Sequence, residues 1–212
     1  MSDDRLQMCT PAPQLDLDRV VAESFLAGAE HYALIGSTNN RAKEAALGRV
    51  TLPLLILADV QTAGRGRGSN RWWTGRGSLA GSLLVDPARW DIDPRRDATA
   101  LSLAAAEAVA ATANSQLSEG IAAKVCPPND VYVGERKLAG ILIEGLAGGL
   151  LVLGIGMNTN NTLADAPAEL RRTVTTLRDL LGRPVDPTEL LRDLVVRLEG
   201  ALSSVRALNT GG

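Results

Sequence analysis

Three short apolar segments follow one another closely between residues 130 and 158, and they constrain the fold more than any other feature. Residues 130–144 are predicted to form two strands joined by a tight turn at Gly134-Glu135, and residues 150–158 a third strand that pairs with them. Parallel neighbours need a long crossover connection, so strands this close in sequence are expected to be antiparallel. The segment therefore predicts a meander of adjacent strands.

The remaining pattern places helices on both sides of this strand-rich region. Further strands are predicted at 54–60, 78–85 and 121–125. Helices are predicted at 16–27, from Ser37 or Thr38 to Leu47, at 98–117, at 176–181 and at 187–205. Because strands and helices show little βαβ alternation, we predict an α+β fold with a mixed, mainly antiparallel sheet packed against helices.

The chain length and the absence of a linker favour one domain. The 212 residues contain no visible repeat and no long Pro/Ser linker. We predict a lead-in with a short helix at 1–30, a single domain at 31–206 and a frayed tail after Val205. No apolar run of 18 residues predicts a membrane helix and no signal sequence begins the chain, so a cytoplasmic protein that does not bind membranes is expected.

The scarce residue types exclude several kinds of chemistry. His31 is the single histidine, and Cys9 and Cys126 are the two cysteines, predicted to be reduced thiols. These residues are too few and too scattered for a zinc cluster, and His31 is predicted to be a structural residue in a strand. The formal net charge of -2 and the pI of about 5.5 give no general attraction to nucleic acid.

The strongest local signal is the arginine-glycine loop, residues 61–77, with the sequence QTAGRGRGSNRWWTGRG. Arginine offers paired donors to carboxylates and phosphates, and glycine lets backbone amides approach an anion. An anion site at the end of a buried strand is the functional interpretation. A solvated loop and a single-stranded nucleic-acid segment with Trp72 and Trp73 as stacking platforms are the alternatives.

Other candidate residues have structural interpretations beside the functional ones. Lys137 is predicted to lie at the start of a strand on the same face as Ala139 and Ile141, where it could reach solvent or hold a developing negative charge. Asn129-Asp130 and Asn158 could equally be turn formers. No Walker or Rossmann glycine motif is present, so a nucleotide would need another architecture.

Taken in order, the motifs resemble the catalytic domain of biotin protein ligases. They are Gly36-Ser37-Thr38-Asn39, Gln61-Thr-Ala-Gly-Arg-Gly-Arg67 with Trp72, Pro128-Asn129-Asp130, Arg136-Lys137-Leu-Ala-Gly140-Ile-Leu-Ile-Glu144, Gly154-Ile-Gly-Met-Asn158 and Thr176 to Pro184. The resemblance covers residues 30–205 and implies the biotinyl/lipoyl ligase fold, which is like that of class II synthetases. It implies ATP-dependent ligation of biotin, through biotinyl-5′-AMP, to a lysine of a biotin carboxyl carrier protein.

The resemblance also implies roles for individual residues. Ser37, Thr38, Asn39 and Gln61 would bind the ureido ring of biotin or fix the loops around it. The loop from Gly64 through Arg65 and Gly66 to Arg67 would close over the adenylate, with both arginines neutralising carboxylate and phosphate. Lys137 would bridge the biotin carboxylate and the α-phosphate, with Arg65 as the second catalytic cation, and Gly140 would make room for biotin. Asn129 and Asn158 would lie on the ATP side, with Mg²⁺ near Asn158.

The chain departs from the family at one motif and leaves several questions open. Cys126-Pro127 stands where the family has a Lys-Trp pair, and Lys124 lies two residues away from the family position. No helix-turn-helix domain and no C-terminal β-barrel are expected, hence no DNA binding. The oligomeric state is open, with a homodimer as one option. Lipoate or octanoate ligation and a biotin-binding pseudoenzyme are the alternative functions.

Overall fold

A computed structural model describes residues 14–210 and contains one seven-stranded sheet. The strands are β1 (Gly28–Tyr32), β2 (Leu54–Ala58), β3 (Leu79–Val85), β4 (Ala123–Cys126), β5 (Asp130–Val133), β6 (Arg136–Gly145) and β7 (Leu151–Met157). Their order across the sheet is β1-β2-β3-β7-β6-β5-β4. The β1–β2 pair is parallel and every other pair is antiparallel, which confirms the predicted mixed sheet and the meander formed by β5, β6 and β7.

Five α-helices accompany the sheet in the described part of the chain. They are α1 (Leu17–Ala22), α2 (Thr38–Ala46), α3 (Ala98–Asn114), α4 (Leu177–Leu181) and α5 (Pro187–Thr210), with 3-10 helices at Pro87–Trp90 and Leu163–Asp165. Each predicted helix is present, and Ser37 and Thr176 stand at the N-cap positions of α2 and α4. Of these two side chains, only that of Thr176 accepts a capping hydrogen bond, which comes from the Asp179 amide.

The ends of several helices differ from the prediction: α3 ends at Asn114 instead of residue 117, and larger differences occur in α1 and α5. Helix α1 stops at Ala22 instead of reaching residue 27, because the chain turns at Ser24, whose Oγ accepts a hydrogen bond from the Leu26 amide. The predicted frayed tail after Val205 is wrong for residues 206–210, which continue α5. Leu202 and Val205 are buried in the last packed turns, so tertiary contacts hold the helix at this end.

Each face of the sheet packs against different elements. The main core lies where α3 and α5 cover one face, and its largest buried side chains include Leu83, Leu101, Leu153, Leu194 and Leu202. On the opposite face, α2 covers a smaller apolar cluster formed by Ala42, Ala45, Leu54, Ile56, Leu84 and Val152. Because α2 is short, it leaves part of this second face open to other groups.

Several predictions concern features away from the open face. His31 lies in β1, as predicted, and its Nε2 is 2.7 Å from Asp59 Oδ1 at the surface. Cys126 is an exposed free thiol, whereas Cys9 and the first 13 residues of the predicted lead-in lie outside the described residues. Within residues 14–210, no helix is long and apolar enough to cross a membrane, and no group of three or more His, Cys, Asp or Glu side chains could hold a metal ion.

Candidate active site

A cavity of about 160 Å³ lies between the first turn of α2, the arginine-glycine loop and the open face of the sheet. Strands β3, β6 and β7 contribute its floor, and the turn before β5 closes one side. Most of the predicted site residues line this cavity: Thr38, Asn39, Gln61, Arg65, Gly66, Arg67, Asn129, Lys137 and Gly140. The fold thus brings together side chains from both halves of the chain.

Three predicted site residues do not line the cavity. Ser37 is buried at the start of α2. Gly64 supports the loop from within: its carbonyl accepts a hydrogen bond from the Trp72 amide at 3.0 Å, and a Cβ at this position would overlap the Trp72 carbonyl oxygen. Asn158 is buried, and its Oδ1 accepts a 3.2 Å hydrogen bond from Asn161. Ligand contacts by these three residues stay predictions.

The cavity floor is made of glycines because other side chains occupy the space above it. A Cβ at Gly156 would overlap the indole ring of Trp72, and a Cβ at Gly154 would overlap the amide of Asn39. Real Cβ atoms do not approach other heavy atoms so closely, so only glycine lets these two side chains lie against the sheet. The Gly154-Ile-Gly156 sequence therefore shapes a floor instead of forming a phosphate-binding turn.

A buried hydrogen-bond network joins α2 to this floor. Gln61 Oε1 accepts from the Thr38 amide at 2.8 Å, and Gln61 Nε2 donates to Thr74 Oγ1 at 3.2 Å. Ser82 Oγ lies 2.6 Å from Asn39 Oδ1 and 2.8 Å from Thr38 Oγ1. An amide oxygen has no proton to give, so the single Ser82 proton points to Asn39. The network fixes the polar end of α2 inside the cavity.

Lys137 enters the cavity because of a β-bulge. Asp130 pairs with Gly140 and Val131 with Ala139, but Tyr132 pairs with Lys137, so β6 carries one extra residue at this point. The bulge reverses the alternation of side chains. The prediction that Lys137 shares a face with Ala139 is therefore wrong: Lys137 points to the Gly140 side, where a Cβ of Gly140 would lie 3.3 Å from its Nζ.

The surroundings of Lys137 hold its charge in place. Its Nζ is 2.7 Å from Asp130 Oδ1 and 5.8 Å from the centre of the Trp72 ring. Its backbone amide donates to Thr173 and its carbonyl accepts from Thr175, at 2.9 and 3.0 Å. A cation between a carboxylate and an aromatic face is attracted by both. The ammonium group is thus fixed at the cavity wall while three-quarters of the side chain is shielded from solvent.

Arg65 forms an ion pair with Glu144, which lies at the end of β6, beside the cavity. Its guanidinium nitrogens lie 3.0 and 3.2 Å from the two carboxylate oxygens of Glu144, which also accept from Lys43 at 2.8 Å and Asn39 at 2.9 Å. Burial by itself raises the pKa of Glu144, but the hydrogen bonds from Lys43 and Asn39 and the charges of Lys43 and Arg65 outweigh it and lower the pKa from its ordinary value. Glu144 is therefore ionised at neutral pH.

The arginine-glycine loop folds back on itself over the cavity. Its backbone closes through hydrogen bonds from Gly66 to Asn70 and from Trp72 to Gly64. This turn brings Arg67, Asn70 and Arg71 to the cavity with Arg65. The prediction of a loop is confirmed, although Thr74 and Gly75 are buried and the segment is not exposed throughout.

The sequence did not predict a contact within the ligand site for three residues at or beside this cavity. Trp72 supplies an aromatic wall, Asp130 pairs with Lys137, and Glu144 holds Arg65. The period of two along β6 carried the signal for Glu144, since Gly140, residue 142 and Glu144 share one face. By contrast, Cys126 and the neighbouring Pro127 do not line the cavity, and Lys124 is exposed outside it.

Residues 32–160 match the model of the biotin/lipoate A/B protein ligase family. This span covers more than half of the chain and includes α2, the arginine-glycine loop, Lys137 and Glu144. The chain belongs to this family. The family resemblance of the motifs is therefore confirmed.

Relatives and solved structures of the family agree with this assignment. The chain is 33% identical over 171 residues to the bifunctional ligase/repressor BirA of Bacillus spizizenii, covering 78% of this chain and 51% of the relative. It is 34% identical over 179 residues to biotin--[acetyl-CoA-carboxylase] ligase of Mycobacterium tuberculosis, covering 84% and 65%. The biotin protein ligase of Aquifex aeolicus, solved with biotin and ATP, superimposes with a TM-score of 0.73 at 28% identity, covering 86% and 73%. The chain thus spans about half the length of the Bacillus relative.

Proposed function

We propose that this domain activates biotin with ATP and transfers the biotinyl group to a lysine of a biotin carboxyl carrier protein. The observation that carries the proposal is the cavity in which Lys137, Arg65 and Arg67 converge above a glycine floor and beside Trp72. Similarity to proteins named biotin ligases, one of them solved with biotin and ATP, supports it.

The first step joins two anions. A carboxylate oxygen of biotin attacks the α-phosphorus of ATP, the bond to the β-phosphate oxygen breaks, and pyrophosphate leaves with its negative charge. Arg65, Arg67 and Lys137 supply cations that offset the charge on both reactants. Asp130 holds the Lys137 ammonium in position until an anion arrives, because the ion pair is 2.7 Å long.

The second step transfers the acyl group. The uncharged amine of an acceptor lysine attacks the carbonyl carbon of biotinyl-5′-AMP, the bond to the phosphate oxygen breaks, and AMP leaves while the amine loses a proton. Glycines at 140, 154 and 156 let the side chains of Lys137, Asn39 and Trp72 lie close to the sheet, around the cavity that would hold biotin. We expect this reaction in the cytoplasm, where ATP and carrier proteins of this type occur together.

Magnesium would enter with the triphosphate, since Mg²⁺ in nucleotide sites takes most of its ligands from phosphate and water and one or two oxygens from protein. Two oxygen-bearing side chains line the cavity at the turn before β5, the amide of Asn129 and the carboxylate of Asp130. They fit a metal carried by the nucleotide. Asn158 does not line the cavity, so its predicted proximity to Mg²⁺ remains a prediction.

Biotin-dependent exchange of labelled pyrophosphate into ATP tests the proposal. Exchange with biotin, and none with lipoate or octanoate, is the expected result. Exchange with lipoate instead would transfer the assignment to the other branch of the family, and biotin binding without exchange would make the chain a pseudoenzyme.

A further inference from the structure

Glu144 carries a negative charge beside a site that we propose binds anions, and it takes no part in the proposed reaction. Its carboxylate is 17% exposed and contacts two residues that line the cavity, Asn39 and Arg65, and it is ionised because its surroundings lower its pKa. A negative charge here weakens the attraction of the loop for carboxylate and phosphate. The position of the Glu144 carboxylate is therefore not explained by electrostatic attraction of the ligand.

Three donors converge on this one carboxylate. Asn39 and Lys43 come from α2, and Arg65 comes from the arginine-glycine loop. We propose that Glu144 is a positioning residue: it closes the loop over the cavity through Arg65 and fixes the amide of Asn39 beneath it. The identity of the bound ligand rests on the proposed function, whereas the positioning of loop and amide does not.

The orientation of the Asn39 amide follows from which of its neighbours can donate a proton and which can only accept one. A carboxylate can only accept, so Asn39 must turn its Nδ2 to Glu144 and its Oδ1 to Ser82. The Ser82 proton is then committed to Asn39, and the Thr38 hydroxyl has two acceptors within reach, Gln61 Oε1 at 3.1 Å and Ser82 Oγ at 2.8 Å. Glu144 thereby sets the hydrogen-bond direction of Asn39, which lines the cavity, and of Ser82, which is buried next to it.

The effect on the loop follows from the place of Arg65 within it. Arg65 stands between Gly64 and Gly66, whose backbones close the loop through Trp72 and Asn70. A two-nitrogen contact from Arg65 to Glu144 therefore anchors the closed turn to β6. When a ligand anion arrives, Arg65 can exchange one carboxylate for another without the loop having to form first.

The substitution Glu144→Gln separates positioning from simple electrostatics. Glutamine keeps the shape but presents one amide oxygen to three donors, and its NH₂ group faces a donor whichever way it turns. If Glu144 acted only through its charge, its removal would tighten the binding of an anion. Positioning predicts the opposite sign, so one measurement distinguishes the two.

Limited trypsin digestion without ligand provides a test that does not depend on the proposed reaction. We expect cleavage within residues 65–76 to be on the order of tenfold faster in Glu144→Gln, because a charge-assisted contact is lost. The matched control is Glu30→Gln, since Glu30 is also partly buried and pairs with Arg41 at 2.7 Å, but away from the cavity. Unchanged loop cleavage in Glu144→Gln would overturn the anchoring role.

Calorimetry with biotin completes the test. We expect biotin to bind on the order of tenfold more weakly to Glu144→Gln than to the wild type, and equally to Glu30→Gln. Equal or tighter binding to Glu144→Gln would overturn the positioning role in favour of electrostatics. If the wild type binds no biotin, the proposed function fails while the trypsin result still decides the anchoring. If Glu144→Gln does not fold, Arg65→Gln removes the same contact by changing the more exposed partner. This variant must then show the same faster cleavage at the remaining loop arginines, Arg67, Arg71 and Arg76.

Discussion

Replacing Lys137 with methionine should remove catalysis and leave the fold. Methionine keeps an unbranched stem of similar length against Trp72 and deletes only the ammonium group. In the structure this group contacts Asp130 at 2.7 Å and lies 5.8 Å from the Trp72 ring centre. The substitution therefore isolates the charge that we assign to the α-phosphate.

The two effects of this change differ in size. Lys137 and Asp130 are 28% and 26% exposed, so solvent screens their ion pair, and its loss should cost about 1 kcal/mol of the free energy of unfolding at most. For a chain of this length that is a fall in Tm of about 2–4 °C. Loss of a fixed cation in the transition state should lower the rate about 10²–10³-fold, or about 2.7–4 kcal/mol.

Biotin-dependent pyrophosphate exchange and a thermal melt of the same samples measure both quantities. Lys124→Met is the matched control, because Lys124 is exposed on β4, which β5 separates from β6, and lies outside the cavity. It should retain wild-type exchange. The assigned role fails if Lys137→Met retains more than about one-tenth of wild-type exchange with its fold intact, since that is far from the loss expected for a transition-state cation.

Two further predictions concern the floor and the edge of the cavity. Gly156→Ala should force the Trp72 indole away from the sheet and weaken biotin binding by about tenfold, as overpacking of about 1–3 kcal/mol implies. The control is Gly200→Ala in α5, where a Cβ meets open space, and this variant should bind biotin normally. Equal affinities of the two variants in calorimetry would contradict this prediction. Because the pKa of Glu144 is lowered by folding, its stabilisation is fully present above 4.5 and is lost as the pH falls through the folded-state value. The difference in the free energy of unfolding between the wild type and Glu144→Gln should therefore shrink from pH 6 to pH 3 in urea titrations, and a constant difference would refute the lowered pKa.

The sequence by itself determined which segments become strands and helices. The apolar run at 54–60 gave β2, whose five residues are all buried, and the turn at Gly134-Glu135 joins β5 to β6 as predicted. These outcomes depend on local properties, namely side-chain period, turn residues and caps, which a single segment carries. The order of the motifs also indicated the family, and the motifs contain most of the residues that line the cavity. Each motif is a short, continuous segment, so it can be identified in the sequence.

The tertiary structure decided where several of those side chains point. Lys137 faces the cavity only because β6 carries an extra residue opposite β5, and a one-residue shift in register moves a side chain to the other face of a sheet. The period of two, applied without that bulge, placed it on the wrong face. A bulge depends on the pairing of two strands, and neither strand shows it alone.

The role of Glu144 also required the tertiary structure. Asn39 and Glu144 are separated by 105 positions, and Arg65 and Glu144 by 79, so their contacts arise only when α2 and the loop pack on the open face of the sheet. In the sequence the period of two places Glu144 on the same face as Gly140, but nothing local shows which groups contact its carboxylate. Its burial, its three donors and its lowered pKa all come from groups that folding brings from elsewhere in the chain.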